Sequence, residues 1–493
     1  LALDPNEFGK AELPDADLIP ESGFYHPAWE QVESDLTAVR QRLNGDDLPI
    51  VAIAINLATI SSCDTAWIDR LIESLRERGL ASYAFYGPRK RHDRFTRMTC
   101  LREGDQLVAI PELIINAALV FRPQDRKKEL ESIGVPVLQT LPSRRRSVEQ
   151  WQSSQDGLAL DDISYYYASS ELAGMIDPVL VSARHQVTQS LEPIGSQMDA
   201  VADRAAALCR LRKSAPAERR VAMLVYNYPP GENNFGASFL NVPKSLENVI
   251  RALRAAGYDA QDADAETLTR DLQRCLQGLY KPDVLTAMYA SGDASLLSLD
   301  RYETWFQTLP QATRNRITHY WGSPESMADY AGDDGSTSGF IVPRVDLGAI
   351  LVMPQPLRHE ITTASGDASR KQRISHRSAV PLSHRYLATY LFIREQFDAH
   401  AVIHFGTHGT QEWAPGKQRA LSADDEAMLA IGGLPNFYPY IMDNLGEATT
   451  AKRRGRATMI GHLTPMFTPS GFRPGLHDMH IVMHDWETVA SGP

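Results

Sequence analysis

Several doubly wound, parallel-sheet α/β units joined by helical connectors are what this 493-residue sequence predicts. Three observations carry that prediction. Short β-branched runs such as Val51-Ala52-Ile53-Ala54-Ile55 are apolar throughout rather than alternating, as in strands covered on both faces. These runs alternate with helical stretches across short connections, the order of βαβ units. They break into loops rich in Gly, Asn and Pro. At roughly 100–200 residues per domain, the length accommodates about three domains.

In chain order, residues 1–46 are rich in Pro and Asp and turn helical over 28–43, an N-terminal arm. A first α/β unit is expected over 47–142. Its strands are Pro49 to Leu57, Ser82 to Tyr86, a stretch from Leu113 to Pro123, and Val135 to Gln139, with a helix over 68–78 stopped by Gly79. Residues 143–214 read as a connector. They hold the aromatic cluster Tyr165-Tyr166-Tyr167, read as packing, and an Ala- and Arg-rich amphipathic helix over 198–212. A second α/β unit over 215–330 opens with the strand Val221-Ala222-Met223-Leu224-Val225. It continues through an Asn- and Gly-rich loop from Asn227 to Ser238 and a helix over 245–256. A strand, such a loop and a helix form a generic anion cradle, because helix N-termini offer free N–H groups. Residues 331–493 carry a strand over 347–353, the Pro-fixed loop of Gln355, Arg358 and His359, a helix over 386–397 and a last core region. Such units are Rossmann- or flavodoxin-like. No G-x-x-x-x-G-K-[ST] sequence occurs, so no P-loop is present in these residues.

Composition narrows the function classes. Apolar content of 43% and charged content of 23% are those of a soluble globular protein. A net charge of −11 argues against nucleic acid or an anionic membrane as the main partner. The basic clusters Arg89-Lys90-Arg91 and Arg144-Arg145-Arg146 read as solvated loop charge. Cys63, Cys100, Cys209 and Cys275 lie far apart with no C-x-x-C spacing, which reads as reduced thiols in a cytoplasmic protein. No apolar run approaches the ~18 residues of a membrane span. No secretory signal sequence opens the chain, and its start at Leu1 and its stop soon after an apparent helix start lead us to expect a fragment of a longer protein.

The stretch that promises chemistry is His404-Phe405-Gly406-Thr407-His408-Gly409-Thr410-Gln411-Glu412-Trp413, followed by Pro415-Gly416-Lys417. It follows the short strand Ala401-Val402-Ile403. Loops at the carboxyl ends of buried strands are where ligands bind in open α/β sheets. Two imidazoles four residues apart, with a carboxylate four further on, supply metal ligands and a proton acceptor. The alternative is a polar turn capped by His404.

Taken together, these residues resemble the large subunit of cobaltochelatase and, more loosely, the H-type large subunit of magnesium chelatase. Further matches follow in order: Gly134 to Gln139, Asn227-Tyr228-Pro229-Pro230, Gln355-Pro356, Leu434-Pro435, Gly446-Glu447-Ala448, Ala451-Lys452-Arg453-Arg454 and His462-Leu463-Thr464-Pro465. The resemblance covers about residues 48–466. It implies a subunit that binds a tetrapyrrole and a divalent metal, Co²⁺ or alternatively Mg²⁺ or Fe²⁺. Separate AAA+ motor subunits would hydrolyse the ATP. By the same resemblance, His404 and His408 handle metal or relay protons, His384 is a further metal ligand, and Glu412 is the general base. Lys417, Trp413, Arg358, Arg453, Gln355 and Asn444 are expected to face the substrate. Ser422 to Glu426 and Leu357-Arg358-His359-Glu360 depart from the family pattern and bear on which substrate is used. Two other readings stand beside cobalt insertion: a relative that releases iron from haem, and a non-enzymatic tetrapyrrole-binding scaffold.

A separate cluster, His477, His480 and His484, has spacings of three and then four, which line one helical face. It reads as a second metal site or as the polar side of a helix end.

Overall fold

The computed structural model describes residues 19–462 except 44, 46, 89–90, 229–230, 236–239, 332–337, 359–378, 407–408 and 442–443, together with 478–479, 482–483 and 486. Two parallel sheets organise the chain. The strands of the first are β1 (Gly23–Tyr25), β2 (Ile50–Ala54), β3 (Ala81–Tyr86), β4 (Leu113–Asn116), β5 (Val137–Ser143), β6 (Ile176–Arg184) and β7 (Leu191–Pro193). They lie in the order β1-β3-β2-β4-β5-β6-β7, parallel from β3 to β6 with an antiparallel strand at each edge. From β2 the chain passes to β3 on one side, and β4 then begins the other side. The winding therefore reverses between β2 and β4.

The second sheet holds β8 (Val221–Val225), β9 (Val345–Asp346), β10 (Ile350–Pro354), β11 (Ala401–Phe405), β12 (Asn436–Ile441) and β13 (Ala457–His462). Their order is β9-β10-β8-β11-β12-β13, and only β9 runs antiparallel. Here the winding reverses between β8 and β11. Every residue of β2, β4, β8 and β10 is buried, as continuous apolar runs require. Small antiparallel pieces complete the fold. One is the hairpin of Cys100–Glu103 with Gln106–Ala109. The other is a three-stranded sheet of Ala294–Ser298, Ser338–Pro343 and Tyr330–Ala331.

Sheet membership crosses the segment limits expected from the sequence. β6 and β7 come from 143–214 yet complete the first sheet, and β8 is a central strand of a sheet whose other members follow residue 330. β6 escapes sequence reading because Asp177 and Pro178 interrupt its apolar run. The helices fall close to expectation. Ala66–Glu77 lays Trp67, Ile68, Leu71, Ile72 and Leu75 on the first sheet. Val242–Ala255 starts where the Asn241 side chain accepts the Lys244 amide hydrogen. The stretch expected to be helical over 386–397 begins earlier, as His384–Leu391 capped by Ser383, and continues as a π-helical turn, Phe392–Gln396. Of 28–43, only Leu36–Leu43 is helical.

Between the two sheets lies the helix Gly195–Lys213. Its Met198, Val201, Ala202 and Ala205 join the core of the first sheet. Gln197 Nε2 donates to the carbonyls of Leu180 on β6 and of Leu421, at 2.9 Å each. Deeper still, Asp177 receives Arg456 through Nε at 2.9 Å and Nη2 at 2.6 Å, while Arg204 Nε lies 3.7 Å away. All three side chains are buried. Arg204 also donates to the carbonyls of Leu434 and Arg456. Burial raises the Asp177 carboxyl, but the two guanidiniums outweigh it and hold the group below the usual carboxylate range. This ion cluster ties β6 of the first sheet to the start of β13 in the second.

Candidate active site

The second sheet's winding reverses between β8 and β11, and open α/β sheets bind their ligands beyond the strand ends at such a reversal. The motif loop leaves β11 there. On β11, His404 lies opposite Leu224 of β8. On β12, Asn436, Tyr438 and Tyr440 share one face through the two-residue period of a strand. The His404 ring stacks on Tyr438 with centroids 4.7 Å apart and planes 9° from parallel.

Both ring nitrogens of His404 are engaged. Asn436 Nδ2 donates to the Gly455 carbonyl at 2.7 Å, which turns its Oδ1 toward His404 Nδ1, 2.7 Å away. Nδ1 therefore carries the hydrogen, and Nε2 accepts the Tyr390 hydroxyl at 2.8 Å. Burial depresses the imidazole to a pKa of about 4, against the opposing hydrogen bond to Asn436. His404 is thus a neutral ring, hydrogen-bonded at both nitrogens, with no lone pair left for a metal.

Gln355, just past β10, joins the same network. Its Nε2 donates to Tyr390 Oη at 2.9 Å, and its Oε1 accepts the Thr410 amide at 3.0 Å. Tyr386 and Tyr390, one helical turn apart, stack at 5.3 Å, and Tyr386 Oη lies 2.9 Å from Thr410 Oγ1. Burial pushes the Tyr386 hydroxyl up to about 12 and those of Tyr390 and Tyr438 higher, so all three stay protonated near neutral pH.

Glu412 sits on the single 3₁₀ turn Gln411–Trp413 and is fully buried. Its Oε1 accepts the Gly409 amide at 3.2 Å and its Oε2 the Tyr438 hydroxyl at 2.8 Å. A Cβ at Gly409 would come within 2.6 Å of Tyr438 Oη and 3.0 Å of Gln355 Oε1, so only glycine lets the loop approach this network. The carboxylate's charge reaches Tyr226 at the end of β8, whose hydroxyl is raised first by burial and then by Glu412.

Other expected site residues have different surroundings. His384 is fully buried, with Nδ1 2.8 Å from Tyr302 Oη and Nε2 3.1 Å from the Gly322 carbonyl. It lies two residues before Tyr386, on another face of the helix, packed edge-on against Tyr302 and Phe306. Its nitrogens are occupied, which removes it from metal ligation in this conformation. Lys417 is spent on the connector: Nζ donates to the carbonyls of Gln152 at 2.7 Å and Ser154 at 2.8 Å and lies over the Trp151 ring. Arg453 forms a two-pronged ion pair with Glu171, 2.9 Å on each arm, above Tyr167. Neither cation faces a substrate crevice here. Asn444 Nδ2 donates to Glu447 at 3.0 Å, beside Tyr440. Arg358 is buried, with Nη2 donating to the Val380 carbonyl at 3.1 Å. Trp413 lines a cavity of about 580 Å³ with Pro415, Gly416, Thr450 and Arg454. That volume is within the roughly 300–1,000 Å³ of small-molecule sites.

His408, His477, His480 and His484 lie outside the described residues. Among the described residues, no three His, Cys, Asp or Glu side chains gather as a metal ion would need, and no helix is long and apolar enough to cross a membrane.

Sequence reading missed four residues. Arg454, not Arg453, grips the motif: Nε donates to the Glu412 carbonyl at 2.9 Å, and its Nη atoms to those of Ala414 and Lys417. Neighbouring helical residues differ by about 100° in direction, which separates these two arginines. Tyr386, Tyr390 and Tyr438 were legible only as spacings: a Tyr pair four apart after a Ser cap, and Asn436-x-Tyr438-x-Tyr440 on one strand face.

The family model described as CobN/Magnesium Chelatase matches residues 3–493. The chain is 30% identical over 491 residues to the aerobic cobaltochelatase subunit CobN of a Sinorhizobium species, covering 94% of this chain and 36% of that protein. It is 27% identical over 488 residues to the H-type subunit of the magnesium chelatase of Rhodobacter capsulatus, covering 93% and 38%. The solved catalytic subunit of cobaltochelatase from Mycobacterium tuberculosis matches 96% of this chain and 39% of its own, with a TM-score of 0.73 and 24% identity, a likeness of fold. The chain spans little more than a third of the length of these relatives.

Proposed function

The chain belongs to the CobN/magnesium chelatase family, and on that premise we propose that it is the tetrapyrrole- and metal-handling part of an ATP-dependent chelatase that inserts Co²⁺ into a corrin precursor, hydrogenobyrinic acid a,c-diamide. The observation that carries this reading is Glu412: a fully buried carboxylate at the sheet's winding reversal, beside protonated tyrosines. The preference for cobalt rests on relatives. Two named for cobaltochelatase are 29% and 30% identical, whereas the magnesium-chelatase relatives are 25–27% identical.

Insertion replaces pyrrole N–H bonds with metal–nitrogen bonds, so protons leave the ring as the metal arrives. Glu412 is the acceptor. The Gly409 amide and the Tyr438 hydroxyl hold its two oxygens in place for that transfer. His404 acts as a positioning residue: its ring supports Tyr438 by stacking and Tyr390 by hydrogen bonding. Metal handling is assigned to His408 in the same loop. Substrate contact is assigned to Trp413 and the cavity beside it, and ATP hydrolysis to separate AAA+ motor subunits.

The test is Glu412→Gln, assayed with the motor subunits present. Metal insertion falls at least about 100-fold, the scale of general-base catalysis, while tetrapyrrole affinity holds. Unchanged turnover overturns the base assignment.

A further inference from the structure

The first sheet has its own winding reversal, and a cavity of about 300 Å³ opens there at the carboxyl ends of β2, β4, β5 and β6. Nothing in the chelatase reading uses it. Four of its lining residues carry buried polar atoms that nothing in the described chain satisfies: Asn56 Oδ1, Trp67 Nε1, Ser182 Oγ and Arg184 Nε. Buried polar groups are nearly always paired, so four orphans around one cavity call for an explanation. Asn56 is the most telling. It occupies the cap position of the short helix Leu57–Ser61, where asparagine normally accepts a backbone hydrogen, yet its side chain makes no cap bond.

Behind the cavity lining, the buried amides of β4 and β5 are paired with each other. Asn116 Nδ2 donates to Gln139 Oε1 and to the Ala118 carbonyl, both at 2.8 Å. Gln139 Nε2 donates to the Thr140 carbonyl at 2.7 Å. This buried amide pair fixes the ends of the two strands that carry Ala117 and Thr140 to the cavity. The unsatisfied atoms thus sit in a site whose surroundings are already fixed.

We propose that this cavity binds a small organic oxyanion, a carboxylate or phosphate that also carries a hydroxyl or amino group. The charge balance favours an anion: Arg144 and Arg184 line the cavity against one carboxylate, Asp64, whose oxygens already accept the Leu191 amide at 3.0 and 3.2 Å. Arg184 Nε, Trp67 Nε1 and Ser182 Oγ donate to the anion, and Asn56 Oδ1 accepts from its hydroxyl or amino group. Guanidinium suits either oxyanion, because its planar fork matches both. Open α/β sheets bind ligands at this place in their winding.

Isothermal titration of the protein with ribose 5-phosphate and with glutamate separates the two sources, with inorganic phosphate as the reference. One of the two organic probes binds at least about tenfold more tightly than inorganic phosphate. Arg184→Gln weakens it about tenfold or more, the loss of one charged hydrogen bond. Trp67→Phe keeps the ring's bulk, removes the N–H, and weakens it severalfold while abolishing the ligand-induced change in tryptophan fluorescence. Circular dichroism confirms that both variants are folded. The proposal is overturned if neither organic probe binds below 10⁻³ M, about −4 kcal/mol, or if Arg184→Gln and Trp67→Phe bind like the wild type.

Discussion

The two sheets are wound alike and end differently. Each reverses its winding beside a central parallel strand, between β2 and β4 in one and between β8 and β11 in the other. In the first, the crevice is a cavity bordered by unpaired polar atoms. In the second, the central polar groups are paired with one another, His404 with Asn436 and Tyr390, Gln355 with Tyr390 and Thr410, Glu412 with Gly409 and Tyr438. Atoms without a partner among the described residues, Gln411 Oε1 and Arg358 Nε and Nη1, lie outside that network. One winding therefore yields a socket or a wired centre, depending on what the strand ends carry. Asn56 and Ser182 border the first, whereas tyrosines and a histidine form the floor of the second. An open socket serves reversible binding. A preorganised network serves proton transfer, because the acceptor and its donors need not rearrange.

The two sheets are joined through the buried ion cluster at Asp177. Asp177→Ala strands two buried guanidiniums, Arg456 and Arg204, with an expected loss of ~3–5 kcal/mol in urea denaturation. A loss under ~1 kcal/mol would mean that the halves do not depend on the cluster.

Next in size is His404. Its folded-state pKa is lowered to about 4, so the native ring stays neutral while the unfolded chain takes up a proton below about 6.5. Stability therefore falls as pH drops from about 6.5 to about 4, by up to ~3 kcal/mol, and levels off below that. Denaturation curves across this range show the fall in the wild type and less of it in His404→Gln. Parallel curves would show that His404 is solvated rather than wired.

Gly409→Ala sharpens the contrast at a single atom. The added methyl meets Tyr438 Oη, and overpacking of this kind costs ~1–3 kcal/mol in thermal unfolding. The same change at an open position such as Gly174, apart from its positive φ, meets nothing within 4 Å.

Lys417→Met is the smallest. It removes two hydrogen bonds to the connector and costs ~1–2 kcal/mol, with no change in tetrapyrrole affinity. A large loss of affinity with stability intact would return Lys417 to the substrate.

What the sequence disclosed followed the local physics. Apolar runs identified β2, β8 and the starts of β4 and β11, and strand-to-loop breaks located the loop that carries Glu412. Long-range assembly was hidden. That β8 pairs with β10 and β11, far along the chain, depends on crossovers that no local pattern encodes. Within the site, residue types were legible but their partners were not. Lys417 and Arg453 look like ligand cations until Gln152, Ser154 and Glu171 arrive from the connector. His404 looks like a metal ligand until Asn436 and Tyr390 take its nitrogens. Charged residues in a motif advertise a need for partners, and only the fold reveals whether the chain itself supplies them.

The reading of the second sheet's strand ends as a tetrapyrrole site stands or falls on a spectroscopic titration of the protein with hydrogenobyrinic acid a,c-diamide and with haem. The corrin precursor is expected to bind with a Kd below about 1 µM and haem not to bind. Binding of haem alone would turn the chemistry toward metal release, and binding of neither would rule out a tetrapyrrole site.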